Sequence, residues 1–143
     1  MWYNRFIVPL LCSPLHFLMS GSMLVLRVTG RRSGRQIELP VNYTTEEENS
    51  WRYLVTSTRE RTWWRNLRGG APVEAYLFGR WRACQADVFE EPERVAGGLR
   101  RIFRSKPGSA RYYGVRGDGR GDWNADDLER ASKSRVLVLV RPV

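Results

Sequence analysis

From Met23 onward the hydrophobic and polar positions fall into short alternating runs. Met23 to Thr29 is rich in Val and Leu, and in Gln36 to Thr44 the residues Ile37, Leu39 and Val41 alternate with Gln36, Glu38 and Asn42. Trp51, Tyr53 and Val55 alternate with Arg52, Leu54 and Thr56 through Ser57. A period of two predicts strands. The Gly30 to Gly34 loop makes the first two an antiparallel hairpin, and the polar turn Glu46, Glu47, Glu48 and Asn49 leads into the third strand of a meander. Thr62 is placed to cap a short helix through Leu67, ended by Gly69, Gly70 and Pro72. Val73 to Phe78 and Trp81 to Val88 predict a second hairpin about Gly79 and Arg80.

The period then changes. Pro92 opens a helix in which Val95, Leu99, Ile102 and Phe103 share one face, with Gly97 and Gly98 weakening it. A loop carrying Tyr112 and Tyr113 and a glycine-rich, charged stretch from Gly114 to Asp122 precede a short helix over Asp126 to Ser132 and a closing strand over Val136 to Val140. Six short strands with a helical excursion before the last predict a mainly β chain with helices (α+β) that closes into a small barrel. No internal repeat or interdomain linker interrupts it, so residues 23–143 are expected to form one domain and residues 1–22 an N-terminal arm.

That arm contains the most hydrophobic run, Phe6 to Met19. It is shorter than the roughly 20 apolar residues a bilayer span needs, Pro9 and Pro14 interrupt it, and no small-residue cleavage signal follows. Two readings stay open: a helical or irregular arm packed on the domain, which is the simpler, and an amphipathic segment touching a membrane surface.

Composition changes this picture only modestly. With 42% hydrophobic and 12% aromatic residues, disorder is not expected of the 143-residue chain. The net charge of +9 suits a polyanionic partner, yet the cations are 22 Arg against only Lys106 and Lys133, a bias that a GC-rich genome produces unaided. The placement of the arginines therefore says more than their number. Cys12 and Cys84 match no metal or redox spacing, and His16, alone in an apolar run, is the only histidine. These counts argue against a zinc site and a Ser-His-Asp triad, and no metal is expected.

Two segments carry candidate chemistry. In the loop Thr29-Gly30-Arg31-Arg32-Ser33-Gly34-Arg35, glycines permit unusual backbone angles, Ser33 offers a hydroxyl, and the forked arginine donors match phosphate geometry. On the residues alone, a plain hairpin turn with solvated arginines is an equal reading. In Arg61-Thr62-Trp63-Trp64-Arg65-Asn66-Leu67 aromatic planes interleave with cations, although adjacent tryptophans face different ways, so one is expected in the core and at most one at a pocket. The helix bearing Arg94, Arg100, Arg101 and Arg104 reads as an amphipathic cover, and Arg116 to Asp122, RGDGRGD, as a solvent loop, because it follows no predicted strand and opens no phosphate-binding helix. Nucleic-acid binding is not expected: the aromatics are scattered over elements of mixed facing.

The order of strand, TGRRSG loop, strand ending Leu39-Pro40-Val41, strand ending Val55-Thr56-Ser57, then Trp63-x-x-Asn66-Leu67 resembles the deazaflavin (F420)-dependent nitroreductase family of the FMN-binding split β-barrel superfamily. The resemblance covers nearly the whole chain. It implies a six-stranded antiparallel split barrel binding reduced coenzyme F420 or, as in sister branches, FMN, and passing hydride to a quinone, nitroaromatic or activated alkene. It further implies that Arg31, Arg32, Ser33, Gly34 and Arg35 contact the cofactor phosphate or acidic tail, that Pro40 and Val41 lie along the ring system, and that Trp64 and Asn66 belong to the cofactor site. Thr56 and Ser57 stand where many members have an Ala-Ser pair facing the cofactor. Where members carry a lysine before the tryptophan, this chain has Thr58-Arg59-Glu60-Arg61-Thr62, with Arg59 or Arg61 as the replacement anion contact. Ser57, Tyr112 and Tyr113 are the hydroxyls available to protonate a reduced product, as is solvent. The alternative is a non-catalytic binder of flavin, haem or other tetrapyrrole, or fatty acid. The expected setting is the cytoplasm, with peripheral membrane contact through the arm as the variant, a small-molecule redox acceptor as partner, and a homodimer left open.

Overall fold

The computed structural model describes residues 23–46 and 51–143. The predicted N-terminal arm, with Cys12 and His16, and residues 47–50 of the polar turn lie outside the described residues. Seven strands, β1 (Met23–Thr29), β2 (Gln36–Asn42), β3 (Thr44–Thr45), β4 (Tyr53–Thr58), β5 (Ala71–Leu77), β6 (Arg80–Phe89) and β7 (Arg135–Pro142), form one antiparallel sheet in the order β2-β1-β5-β6-β7-β4-β3. Helices α1 (Pro92–Ser105) and α2 (Ala125–Ser134) and two 3-10 turns, Trp63–Leu67 and Pro107–Tyr113, complete the described residues.

β2 and β3 sit at opposite edges of the sheet yet are separated in sequence only by Tyr43. The chain itself therefore joins the two edges, and the sheet curls closed around its own interior. The strand predicted over Gln36 to Thr44 is thus broken: Asn42 pairs with Met23 of β1, whereas Thr44 pairs with Leu54 of β4. Tyr43 fills the bend, its ring meeting that of Tyr53 edge-on at 5.4 Å. This break accounts for seven strands where six were expected, and Tyr43 and Thr44, both buried in succession, mark it.

Alternation along each strand sorts the apolar residues onto two faces. Leu24, Leu26, Val28, Leu39, Val41, Val55, Ala75, Leu77, Val136 and Val138 fill the barrel with Trp63 and Trp64. Leu54, Leu137 and Leu139 point outward and are covered by Val95, Leu99, Ile102 and Phe103 of α1 and Leu128 and Ala131 of α2. Gly98 is part of that contact, since a Cβ there would collide with the Leu137 side chain. The second hairpin turns at Phe78-Gly79 rather than Gly79-Arg80: Leu77 pairs with Arg80, and Phe78 (φ 51°) and Gly79 (φ 85°) both take left-handed backbone, as a two-residue hairpin turn demands. α2 begins where the Asn124 side chain accepts the Asp127 N–H at 3.0 Å. No helix of the described residues is long and apolar enough to cross a membrane.

Candidate functional site

Strand register brings one set of loops to a common end of the barrel. Arg27 pairs with Glu74, so the end of β1 lies beside the start of β5; Ala71 pairs with Ala86, Phe89 with Leu137, and Thr58 with Arg135. The 30–35 loop, the 59–70 connection, Glu90-Glu91 and Arg135 therefore share this end. It carries Arg31, Arg32, Arg35, Arg59, Arg61, Arg65, Arg68 and Arg135 against Glu60, Glu90 and Glu91, a surplus of positive charge suited to an anion.

The two segments singled out in the sequence touch here. Asn66 Oδ1 accepts the Arg31 backbone N–H at 3.0 Å, and Asn66 Nδ2 donates to the Trp63 carbonyl at 3.1 Å. The same side chain thus fixes the 3-10 turn and ties the arginine loop to it. Within the loop, Gly30 N–H donates to the Arg35 carbonyl at 2.8 Å, Gly34 N–H to the Gly30 carbonyl at 2.9 Å, and Arg35 N–H to Ser33 Oγ at 3.1 Å. Gly34 takes φ 71°, a left-handed position that favours glycine. Arg31 reaches past Gly69, where a Cβ would sit 3.7 Å from its Nη2. The residues from Arg31 to Gln36 are all exposed. Arg31, Arg32, Arg35, Arg61 and Arg65 form no ion pair among the described residues, so their guanidinium groups are free to meet a phosphate or carboxylate.

Other expected site residues are placed differently. Thr62 makes no side-chain cap, and the turn it precedes is 3-10. Trp63 and Trp64 are both buried, at 8% and 2% exposure, because the turn lies across the barrel mouth and drives both rings inward. Trp64 accordingly offers no open ring face; its outer surroundings are the Arg65 and Arg68 guanidiniums, 5.6 and 5.1 Å from the ring centre. Its Nε1 is buried with no acceptor. Trp63 Nε1 donates to Ser57 Oγ at 3.1 Å, and Ser57 Oγ donates to the Thr58 carbonyl at 3.0 Å. Ser57 therefore points into the barrel with its hydrogen already engaged. Thr56, one residue earlier, points to the helix-covered face, where its hydroxyl and that of Tyr113 are 2.8 Å apart. The Thr56-Ser57 pair cannot face one ligand together, since neighbouring strand residues point to opposite sides.

Tyr113 is held from three sides. Thr56 meets its hydroxyl, Phe103 lies 5.6 Å from its ring, and the Arg135 guanidinium stands 4.5 Å over it. Tyr112 is 74% exposed and touches Tyr113 edge-on at 5.5 Å. Pro40 and Val41 pair with Val25 and Leu24, toward the opposite end of the barrel from the arginine loop. Arg59 donates through Nη2 to the Glu90 carbonyl, while its buried Nε lacks an acceptor, as does that of Arg135. Arg61 is exposed.

Sequence reasoning passed over Arg68, Glu90 and Arg135 as members of this end. Arg68 clasps Glu90 through two bonds of 3.0 Å, from Nε and Nη2. That paired hydrogen bond, with the further attraction of Arg68, Arg59 and Arg65, holds the Glu90 carboxyl below the usual carboxylate range. A signal existed: Glu90 lies at the end of a long strand whose partners begin after Gly69-Gly70, which sets it beside the WWRNLR turn. The donor set fits the phosphate-bearing or acidic part of a flavin-type cofactor, presenting several unpaired guanidiniums around a tight loop.

No protein-family model matches the chain, and neither does any curated protein. Solved structures do match in fold. The general stress FMN/FAD-binding protein of Xanthomonas citri is 14% identical over 87% of this chain and 78% of its own, with a TM-score of 0.52. A structure described as a domain-swapped dimer is 13% identical over 96% of both chains, with a TM-score of 0.53. The FAD- and haem-binding protein of Mycobacterium smegmatis is 15% identical over 92% of this chain and 67% of its own, with a TM-score of 0.51. At such identities the likeness is one of fold, and the chain has a curled, split-barrel-like antiparallel sheet with helices.

Proposed function

We propose that residues 23–143 form the cofactor-binding domain of a reductase that takes hydride from reduced coenzyme F420, or alternatively FMN, and delivers it to a quinone, nitroaromatic or activated alkene. The observation that carries this reading is the Asn66 bridge, which unites the arginine loop and the Trp63–Leu67 turn, the two segments of the family resemblance, at the basic end of the barrel. The fold shared with FMN/FAD-binding proteins supports it.

When bound, the reduced ring supplies the hydride. Arg32 and Arg35 bind the phosphate or acidic tail as forked donors, Arg31 lies along Gly69, and Asn66 holds their loop in place. Ser57 keeps Trp63 oriented inside the barrel and donates no proton to substrate, because its hydrogen is engaged by the Thr58 carbonyl. Tyr113, whose ring lies 4.5 Å beneath the Arg135 guanidinium of this end and whose hydroxyl keeps its own hydrogen when Thr56 is the donor of their 2.8 Å contact, is the hydroxyl proposed to pass a proton to the reduced product, with solvent as the other source. The reading includes a cytoplasmic setting and a homodimer; a structure of like fold described as a domain-swapped dimer supports the latter, and a monomer by sedimentation under cofactor-saturated conditions would remove it.

The test is a side-by-side fluorescence and absorbance titration of the protein with F420, FMN and haem. Saturable binding of F420 or FMN, followed by turnover of a quinone or nitroaromatic, is the expected result. Binding of haem alone would replace the reductase by a non-catalytic binder.

A further inference from the structure

Away from the basic end, α1, the Pro107–Tyr113 turn and the glycine-rich loop enclose a cleft of about 780 Å³. This size lies within the range of small-molecule sites. One wall is the outward side of α1, where Arg100 and Arg104 stand four residues apart and so project together. Neither forms an ion pair among the described residues, unlike their neighbour Arg101, which reaches Glu46 at 2.9 Å. The floor is the half-buried Trp123 ring, backed edge-on by the fully buried Phe103, with ring centres 5.0 Å apart.

The opposite wall is nearly bare of side chains. Gly117 lies against the Trp123 ring, where a Cβ would come within 2.6 Å of it. Gly108, Gly119 and Gly121 have no atom within 4 Å of a Cβ position, so the space before them is open. The loop keeps its shape through Asp118, whose Oδ1 accepts the Arg120 and Asp122 N–H groups at 2.7 and 3.2 Å, and through the Gly117 to Trp123 bridge. Asp122 stands at the rim and disfavours a second negative group there.

We propose that this cleft is a ligand site, separate from the cofactor end, for an aromatic compound bearing a single anionic group, such as an aryl carboxylate, sulfonate or monophosphate. The ring packs on Trp123, which Phe103 supports from beneath, and the anion meets the Arg100 and Arg104 guanidiniums. No residue of the 30–35 loop or the Trp63–Leu67 turn lines the cleft, so the assignment stands or falls independently of the reductase reading.

The probe is 8-anilinonaphthalene-1-sulfonate, with neutral N-phenyl-1-naphthylamine as the uncharged counterpart, each followed by its fluorescence. The wild-type protein is expected to bind the sulfonate saturably and the neutral compound about tenfold more weakly or worse. Arg100→Ala with Arg104→Ala is expected to weaken the sulfonate about tenfold and to remove most of its salt dependence. Gly108→Trp, at an exposed position free of backbone strain, narrows the cleft and should weaken binding of both probes while leaving the melting temperature and the FMN and F420 titrations unchanged. Three results overturn the proposal: no saturable sulfonate binding, equal affinity for the neutral probe, or an unaltered affinity in either variant.

Discussion

Replacing Asn66 by Ala removes one side chain that makes two bonds, to the Arg31 N–H at 3.0 Å and the Trp63 carbonyl at 3.1 Å. Each such bond contributes about 0.5–1.5 kcal/mol net. The Arg31 amide is exposed and regains a water partner, so the stability loss should sit near the lower end, about 1 kcal/mol in total. The denaturation midpoint should fall with an unchanged slope, since no core surface is exposed. The freed loop must then be ordered by the cofactor itself, and about 1 kcal/mol corresponds to roughly fivefold weaker binding. Asn66→Asp separates the two contacts: it keeps an acceptor for Arg31 and loses the donor to Trp63, while its charge repels the cofactor anion. Its stability should lie between wild type and Asn66→Ala, and its affinity below both. The assay is urea denaturation followed by circular dichroism, paired with cofactor titration by fluorescence. An Asn66→Ala protein with unchanged midpoint and affinity refutes the bridging role. A loss of affinity above about a hundredfold without any change in midpoint would instead make Asn66 a direct cofactor contact.

The two adjacent helix glycines should answer in opposite directions. Gly97→Ala meets open space and should raise the melting temperature by about 2–4 °C, the gain of about 1 kcal/mol expected in a helix interior; Gly98→Ala drives a methyl into Leu137 and should lower it, because an overpacking cost of about 1–3 kcal/mol outweighs the helix gain. Equal shifts by calorimetry would contradict the α1–β7 contact. Asp127 accepts from the Arg116 amide and guanidinium, and these bonds with the pull of Arg116 and Arg130 hold its carboxyl below the usual value of 3.8. Its folded-state pKa is depressed, so its contribution is complete above the unfolded pKa and is lost as pH falls through the folded one. Asp127→Asn should therefore lower stability at neutral pH and flatten its decline in acid, and an acid profile parallel to wild type would speak against the pairing.

Much of the barrel was legible because a sheet with one face on the core writes a period of two into the chain. β1 coincides with the run from Met23 to Thr29, and β2 begins at Gln36 as expected. The break at Tyr43 was not legible: no glycine or proline marks it, and it exists because the two ends of the run pair with different strands. The same period of two already implied that Thr56 and Ser57 diverge, a consequence that the family pattern obscured. Adjacent tryptophans suggested opposite facings, but a 3-10 turn lying across the barrel mouth buries both. Gly98 reads as a weakness in a helix and is a contact surface in the fold. The cleft at Arg100 and Trp123 left no periodic trace, because its walls come from a helix flank and an irregular loop some twenty residues apart.

The central claim is that the arginine loop at the basic end holds the cofactor anion. Its most direct test is a titration of wild type and of Arg32→Ala with Arg35→Ala, using FMN and F420 under identical salt, with the melting temperature measured alongside. Both side chains are exposed and unpaired, so the double variant should melt with the wild type while binding the cofactor at least tenfold more weakly and with a shallower salt dependence. Unchanged affinity in a folded double variant would contradict the claim.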